Sequence, residues 1–458
     1  MTGRTKRWLS SGVVLVLIIF LWLGFRSRNQ FGQPLVLPDG SSIRVVSMTY
    51  GTNHECGSAL ARLVHRLPPF GQKVAKGVFG SEAMAWAGYI GNERPAFVVW
   101  VEYSPGPGML SMTPGSVLGW LEDGSGFSSA NGSGLVSPAQ PFSFGVYQAV
   151  PRRDKEISVR LIGNGLSGPT NLGAIRFTNP FWGEFPQWEP ETLPTTKRDG
   201  DLEVGLTAFV TGLGSWHRIA NAADGGRDLV LDAKRRDGRS YSLIVVDVKS
   251  LVNSNQQWRL RDAILSDATG NWVDVRMKSS PEESDGWYYF DHSLWPSENA
   301  WRVDLELCRI GGFSPSELLT FRSVPLGEFD AANNLGWSSN IAGGNVTLKS
   351  LLRRMPVSTN VNSINDLSVI ELTVGLPTNV WLNLHGVRLN TGQTNRFLPA
   401  GDGTWMRSQR QTRNYLLNPA LEAVSVDLTY TVQTTRWVHF LVKPEVGRKT
   451  IKLPSPSP

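Results

Sequence analysis

One segment of this 458-residue chain is written three times, and a unit that recurs along a chain constrains its architecture more than any local propensity does. The copies are Pro151-Arg-Arg-Asp-Lys-Glu-Ile157-Ser-Val159-Arg-Leu161, Pro296-Ser-Glu-Asn-Ala300-Trp-Arg-Val303-Asp304-Leu305, and Pro419-Ala-Leu-Glu-Ala423-Val-Ser-Val426-Asp427-Leu428. In the last two, Pro, Ala, Val, Asp and Leu fall at identical offsets. Each copy then reaches an aromatic residue shortly before a second proline, as Phe177 to Pro180, Phe321 to Pro325 and Phe440 to Pro444. A tandem array of one unit is expected.

The segments upstream repeat as well. A β-branched or aromatic run begins 55, 55 and 52 residues before Pro151, Pro296 and Pro419, at Ala96–Tyr103, Tyr241–Asp247 and Leu367–Val374. Between run and proline lies a short strand closing in an acidic or amide turn, Leu118–Gly126, Ala263–Gly270 and Gly386–Gly392. Asp or Asn near Gly is turn chemistry, because these residues tolerate positive φ or bond their own backbone. The opening strands read as Ile43–Tyr50, Leu202–Phe209 and Val346–Leu351. Short alternating strands separated by turns predict an all-β chain of three β-sandwiches. Helix is expected in two places only. Ser58–Leu67 carries Leu60, Leu63, Val64 and Leu67 on one face and is stopped by Pro68-Pro69, and Ser314-Pro315-Ser316-Glu317 has the capping pattern of a helix start.

The order "strand, then Ala263-Ile-Leu-Ser-Asp-Ala-Thr-Gly-Asn271, then Leu294-Trp-Pro296 leading into Val303-Asp-Leu-Glu-Leu307" resembles the telokin-like, immunoglobulin-type sandwich domains of secreted bacterial proteins. The resemblance covers about the second half of each unit. Unit three has the shorter Asn390-Thr-Gly392 turn, and unit one carries an extra residue after Pro151. It implies an immunoglobulin-like fold outside the membrane and brings no catalytic residues. The chain as a whole also resembles multi-domain, membrane-anchored bacterial proteins.

Residues 8–25 are almost wholly apolar and would span roughly 27 Å as a helix, enough to cross a bilayer. Arg4, Lys6 and Arg7 precede the run and Arg26 and Arg28 follow it, so the positive flank places the N-terminus in the cytoplasm. The expected order is a cytoplasmic tail (1–7), a transmembrane signal-anchor (8–25), unit one (34–180), a Pro and aromatic linker (181–200), unit two (201–330), unit three (331–445) and a disordered tail (446–458). A cleaved signal peptide is the alternative, although Leu23-Gly24-Phe25-Arg26 offers no small-x-small site. The bulk is expected outside the cell membrane, in the envelope.

Five charges of the net +6 belong to the flanks of the apolar run, which leaves the exported part near +1 and argues against nucleic-acid binding. The six histidines, His54, His65, His217, His292, His385 and His439, show no metal-ligand spacing, and no local signature of a serine acyl-transfer enzyme is present. No metal, cofactor or catalytic residue is therefore expected. Cys56 and Cys308 lie in different units and read as two buried thiols, with an inter-domain bridge as the sharper alternative. Two binding candidates remain. Among 17 Trp, Trp182 and Trp188 stand in the linker, as core packing or as rings for stacking on sugars. Arg407, Arg410 and Arg413 stand in a C-terminal stretch that carries 13 Lys and Arg against 6 Asp and Glu from Val346 onward, as solvated charge or as a patch for an anionic envelope polymer, polysaccharide or acidic protein partner. The function expected is that of an anchored structural or ligand-binding protein. The alternative is a carbohydrate-binding or carbohydrate-active one.

Overall fold

Period-two alternation governs the folded chain. Along Gly88–Ser104, Phe97, Val99 and Val101 point into the main core, while Val98 and Trp100 pack behind the sheet with buried Cys56. The computed structural model describes residues 33–37, 40–56, 68–73, 88–104, 117–123, 142–165, 168–213, 215–220, 227–232, 241–253, 255–276, 286–290, 294–329, 331–353, 368–377, 380–390, 395–399, 411–416, 424–446 and 449–452. These are overwhelmingly strand. The apolar run 8–25 and the expected helix Ser58–Leu67 lie outside the described residues. No helix among the described residues is long and apolar enough to cross a membrane.

Among the described residues helix is confined to single turns. Residues 69–73 are helical, so Pro69 opens a turn where it was expected to stop one, in keeping with the fixed φ of proline at a helix start. The Ser314 signal holds for one 3-10 turn, Pro315–Glu317, with the Glu317 carboxylate accepting from the Ser314 backbone N at 2.8 Å. Strand Leu318–Pro325 then begins at once.

Three pairs of sheets enclose the cores. In the first, Leu35–Val36, Ser42–Cys56, Gly88–Ser104 and Phe142–Tyr147 face the sheet Val117–Glu122, Glu156–Gly165 and Gly168–Thr178. In the second, Trp287–Phe290, Tyr241–Ser250 and Leu202–Leu213 face Trp272–Arg276, Trp258–Asp267, Trp301–Arg309 and Arg436–Val442. In the third, Ala332–Ile341, Gly344–Leu352, Ser368–Gly375 and Gln411–Leu416 face Leu318–Pro325, Ser425–Thr434, Val380–Asn390 and Asn395–Pro399. The thrice-repeated segment is always the strand at the centre of its sheet. On one side it pairs with the strand of the acidic or amide turn, through Leu121↔Val159, Leu265↔Val303 and Leu389↔Val426.

On the other side the chain does not follow the expected order. In the first sandwich the Phe177 strand simply folds back on its own neighbour, as Ile157↔Phe177. After Trp301–Arg309, however, the Phe321 strand crosses into the third sandwich and pairs there as Phe321↔Leu428. The Phe440 strand makes the return journey and completes the second sandwich as Val303↔Phe440. The third sandwich is thus inserted into the second, and the expected boundaries at 330 and 445 each give way to these crossings. The expected tail also contributes, because Lys449–Lys452 pairs with Arg227–Asp232. Within the expected linker, Thr195–Asp199 is a strand on Leu202–Leu213. The physical reason is that an antiparallel edge accepts any apolar strand of matching alternation, and the Phe321 and Phe440 strands are interchangeable by that measure.

The first two sandwiches share one continuous core, whereas the third has its own. Their junction is built on the turn Asp267–Asn271. Buried Asp267 accepts from the Thr269 N, the Thr269 hydroxyl and the Asn271 side chain at 2.7–2.9 Å, which fixes the turn. The Asn271 amide then takes the Val150 N and donates to the Val150 O at 2.9 and 2.8 Å, pairing with backbone as a strand would. Arg153 donates to Glu298 and to the Phe185 and Pro186 carbonyls, tying sandwich one, linker and sandwich two together. At the second junction, Gln433 makes the same two-way amide bond with the Arg309 backbone, both at 2.9 Å, and Arg261 stacks on Trp381 while pairing with Glu306. Cys56 and Cys308 are buried in separate sandwiches without a disulfide between them, and burial pushes the Cys308 thiol up to about 12.

Two outcomes follow from these junctions. A chain ending at Thr435 loses Val438, Phe440 and Val442 from the shared core, at about 1.5–3 kcal/mol per side chain. Hydrogen exchange should show the shared core opened and the third sandwich still protected; equal protection of both would refute the strand assignment. The second outcome concerns pH. Burial, then the charge of Asp267, holds the Glu298 carboxyl up to about 7, against the pull of Arg153. A raised carboxyl binds its proton more tightly in the folded state, so its contribution is whole below about 4.5 and is lost as pH rises through about 7. The difference in unfolding free energy between wild type and Glu298→Gln should therefore shift by up to about 3 kcal/mol between pH 4.5 and 8, in favour of the variant as pH rises. A difference independent of pH would refute it.

Candidate ligand-binding cleft

The returning C-terminal strand does more than close a core, because its outer face forms one wall of a cleft. Alternation along Arg436–Val442 sends Val438, Phe440 and Val442 inward and leaves His439 exposed on the outside. On the neighbouring Trp301–Arg309, Val303 and Leu305 go inward while Arg302 and Asp304 face out. The register His439↔Asp304 and Leu441↔Arg302 sets these four side by side. The linker supplies the opposite wall. Glu191 bridges Val442 in parallel, donating its N to the Leu441 O at 2.6 Å, so the linker runs beside the edge strand. Trp188 is held just upstream by its carbonyl, which accepts from the Asn299 amide at 2.9 Å.

The result is an open cleft of about 370 Å³ lined by Trp188, Glu191, Lys197, Arg302, His439, Phe440 and Leu441. That lies within the range of small-ligand sites. Its charges are arranged in two groups. Lys197 donates to Glu191 at 2.5 Å and lies 5.5 Å from the Phe440 ring centre, and Glu191 is further held by Thr195. Arg302 Nε donates to Asp304 at 2.7 Å, and the His439 Nδ1 donates to the same carboxylate oxygen at 2.5 Å. Since that ring nitrogen spends its proton on Asp304, its 3.4 Å approach to Arg302 Nη2 is a contact between two donors rather than a bond. Both carboxylates are thereby neutralised by the protein's own cations. The outer face beside the Asp304–His439 pair holds Ile264, Ser266, Glu306, Trp437 and Leu441 by register, and Ser266 lies opposite Arg302, on the far side of that strand from His439.

The described residues among those expected from sequence fall in different places. Trp188 lines the cleft. Trp182 is 47% exposed but belongs to the first junction, under Lys155 at 4.7 Å. Arg407 and Arg410 lie outside the described residues. Arg413 sits on the strand Gln411–Leu416, in register with Glu371. Most other described Trp residues serve packing, with Trp100, Trp120, Trp287, Trp295, Trp301 and Trp381 buried. Among the described residues no group of three His, Cys, Asp or Glu could hold a metal. Sequence reading passed over Arg302, Asp304, His439, Lys197 and Glu191. One signal was present, since Asp304 recurs as Asp427 at an outward position of the repeat.

No protein-family model matches the chain and no curated protein matches it. Among solved structures it is similar to the FN1–FN3 domains of chicken CNTN1 at 12% identity, over 76% of this chain and 94% of that one, with a TM-score of 0.14. It is also similar to a Ca2+-stabilized adhesin of an Antarctic bacterium, at 8% identity over 76% and 94% with a TM-score of 0.13. A third is the SGBP-B protein of the Bacteroides ovatus mixed-linkage glucan utilization locus, at 8% identity over 75% and 91% with a TM-score of 0.13. Overlaps this loose carry nothing about a ligand.

If the cleft is a site rather than a structural staple, its exposed ion pairs hold little stability. Asp304→Ala should cost under about 1 kcal/mol in denaturant unfolding. A loss of several kcal/mol would make the pair a fold element.

Proposed function

We propose that this chain is a membrane-anchored, extracytoplasmic ligand-binding protein of the cell envelope, built of immunoglobulin-like sandwiches and engaging a saccharide at the cleft beside Trp188. The cleft carries this reading. A half-buried indole next to a row of fixed polar groups is suited to a sugar ring, whose C–H face stacks while its rim hydroxyls hydrogen-bond. Rigid β-sheet on one side and a linker pinned by Glu191 on the other favour binding without rearrangement. The apolar run 8–25 with its basic flanks supports the anchor and the outward placement of the sandwiches.

The carbohydrate-active alternative asks for two carboxylates acting on one bond, and here Glu191 and Asp304 are each engaged by protein cations on different walls. Binding is the reading we adopt. Calorimetric titration with envelope-type oligosaccharides should give saturable binding that Trp188→Ala abolishes. Protease added to intact spheroplasts should digest the chain beyond Arg28. Absence of binding to every oligosaccharide would sink the ligand reading, and a protected C-terminal region would sink the location.

A further inference from the structure

The polar groups still open in the cleft are mostly of one kind. Glu191 is occupied by Lys197, Thr195 and the Leu441 N, and Asp304 by Arg302 and His439. What remains toward solvent is donor capacity, with one acceptor at His439. Arg302 has spent only its Nε, with its side chain 48% exposed. Lys197 has spent one of three N–H groups and is 37% exposed. The Trp188 indole N–H has no acceptor among the described residues. His439, 53% exposed, keeps Nε2, which accepts a hydroxyl proton when the ring is neutral.

An acceptor-rich ligand with at least one hydroxyl donor answers this set. A neutral sugar supplies hydroxyls but no charged acceptor for the N–H groups that Arg302 and Lys197 keep beyond their bonds to Asp304 and Glu191. We propose that the cleft selects a carboxylated saccharide of the uronate type, its ring on Trp188, its carboxylate taken by the Arg302 guanidinium and Lys197, and a ring hydroxyl on His439 Nε2. The planar guanidinium fork suits a carboxylate held by two parallel N–H bonds. This rests on the saccharide reading of the cleft and adds the charge. It also moves anion recognition from the arginines near residue 410 to cations that the folded chain collects from residues 197 and 302.

The test uses the protein with residues 1–32 removed or retained in detergent. Galacturonate and glucuronate tetrasaccharides are titrated beside their carboxyl-reduced, neutral counterparts. The acidic member of each pair should bind at least about tenfold more tightly, with the advantage shrinking as salt is raised. Arg302→Gln and Lys197→Gln should erase most of that advantage at unchanged melting temperature, while Trp188→Ala weakens both members. Arg198→Gln, which removes a neighbouring cation paired with Glu203 outside the cleft, should leave it intact. Equal binding of acidic and neutral members overturns the charge assignment and leaves the saccharide reading standing. Binding of neither overturns both. An advantage that survives Arg302→Gln and Lys197→Gln but falls with Arg198→Gln reduces it to general surface charge and overturns the proposal.

Discussion

The pairing of Trp301–Arg309 with Arg436–Val442 is the contact on which the remainder of the molecule depends. It joins segments more than a hundred residues apart, and the chain between them forms a sandwich with a core of its own. Through Val438, Phe440 and Val442 it completes the core shared by the first two sandwiches. Through His439 and Leu441 it builds a wall of the cleft, and through Val442 it seats the linker. One strand, read on its two faces and its edge, therefore couples stability, site and linker geometry.

The same repeat position serves different ends according to which strand arrives beside it. Asp304 faces His439 across the returning strand. Asp427, its counterpart, faces the Phe321 strand and accepts the backbone N of Ser323 at 2.7 Å, at a bulge where Ser323 takes a positive φ. The Asp of one Val-Asp-Leu triplet braces the cleft wall in one sandwich, and its counterpart braces the backbone in the other. The difference is set by the neighbour and not by the residue.

This explains what the sequence discloses and what it withholds. Strand positions were legible, because period two and the turn residues are local properties: Val303 and Leu305 go in, Arg302 and Asp304 go out, as alternation requires. The assignment of the Phe321 and Phe440 strands to their sheets was not legible. Both end in an aromatic-to-proline pattern, both alternate correctly, and nothing local in either distinguishes one edge from the other. The cleft was accordingly half hidden. Trp188 stood out by its setting, but Arg302 and His439 are 137 residues apart and become neighbours only through that undetermined pairing. The arginine cluster near residue 410 drew notice because its members are adjacent in sequence, which is no guide to adjacency in a sheet.

The insertion also determines how the molecule carries tension. A pull between the start of the first sandwich and the cleft at Trp188 would be transmitted through the first sandwich, the Asn271–Val150 junction and the second sandwich. The third sandwich leaves and rejoins the second at Arg309 and Gln433, two points clamped to each other, and so hangs beside the line of force. A longer or shorter sandwich in that place would leave the line from the first sandwich to the cleft unaltered, provided the strand that follows it still returns to its place.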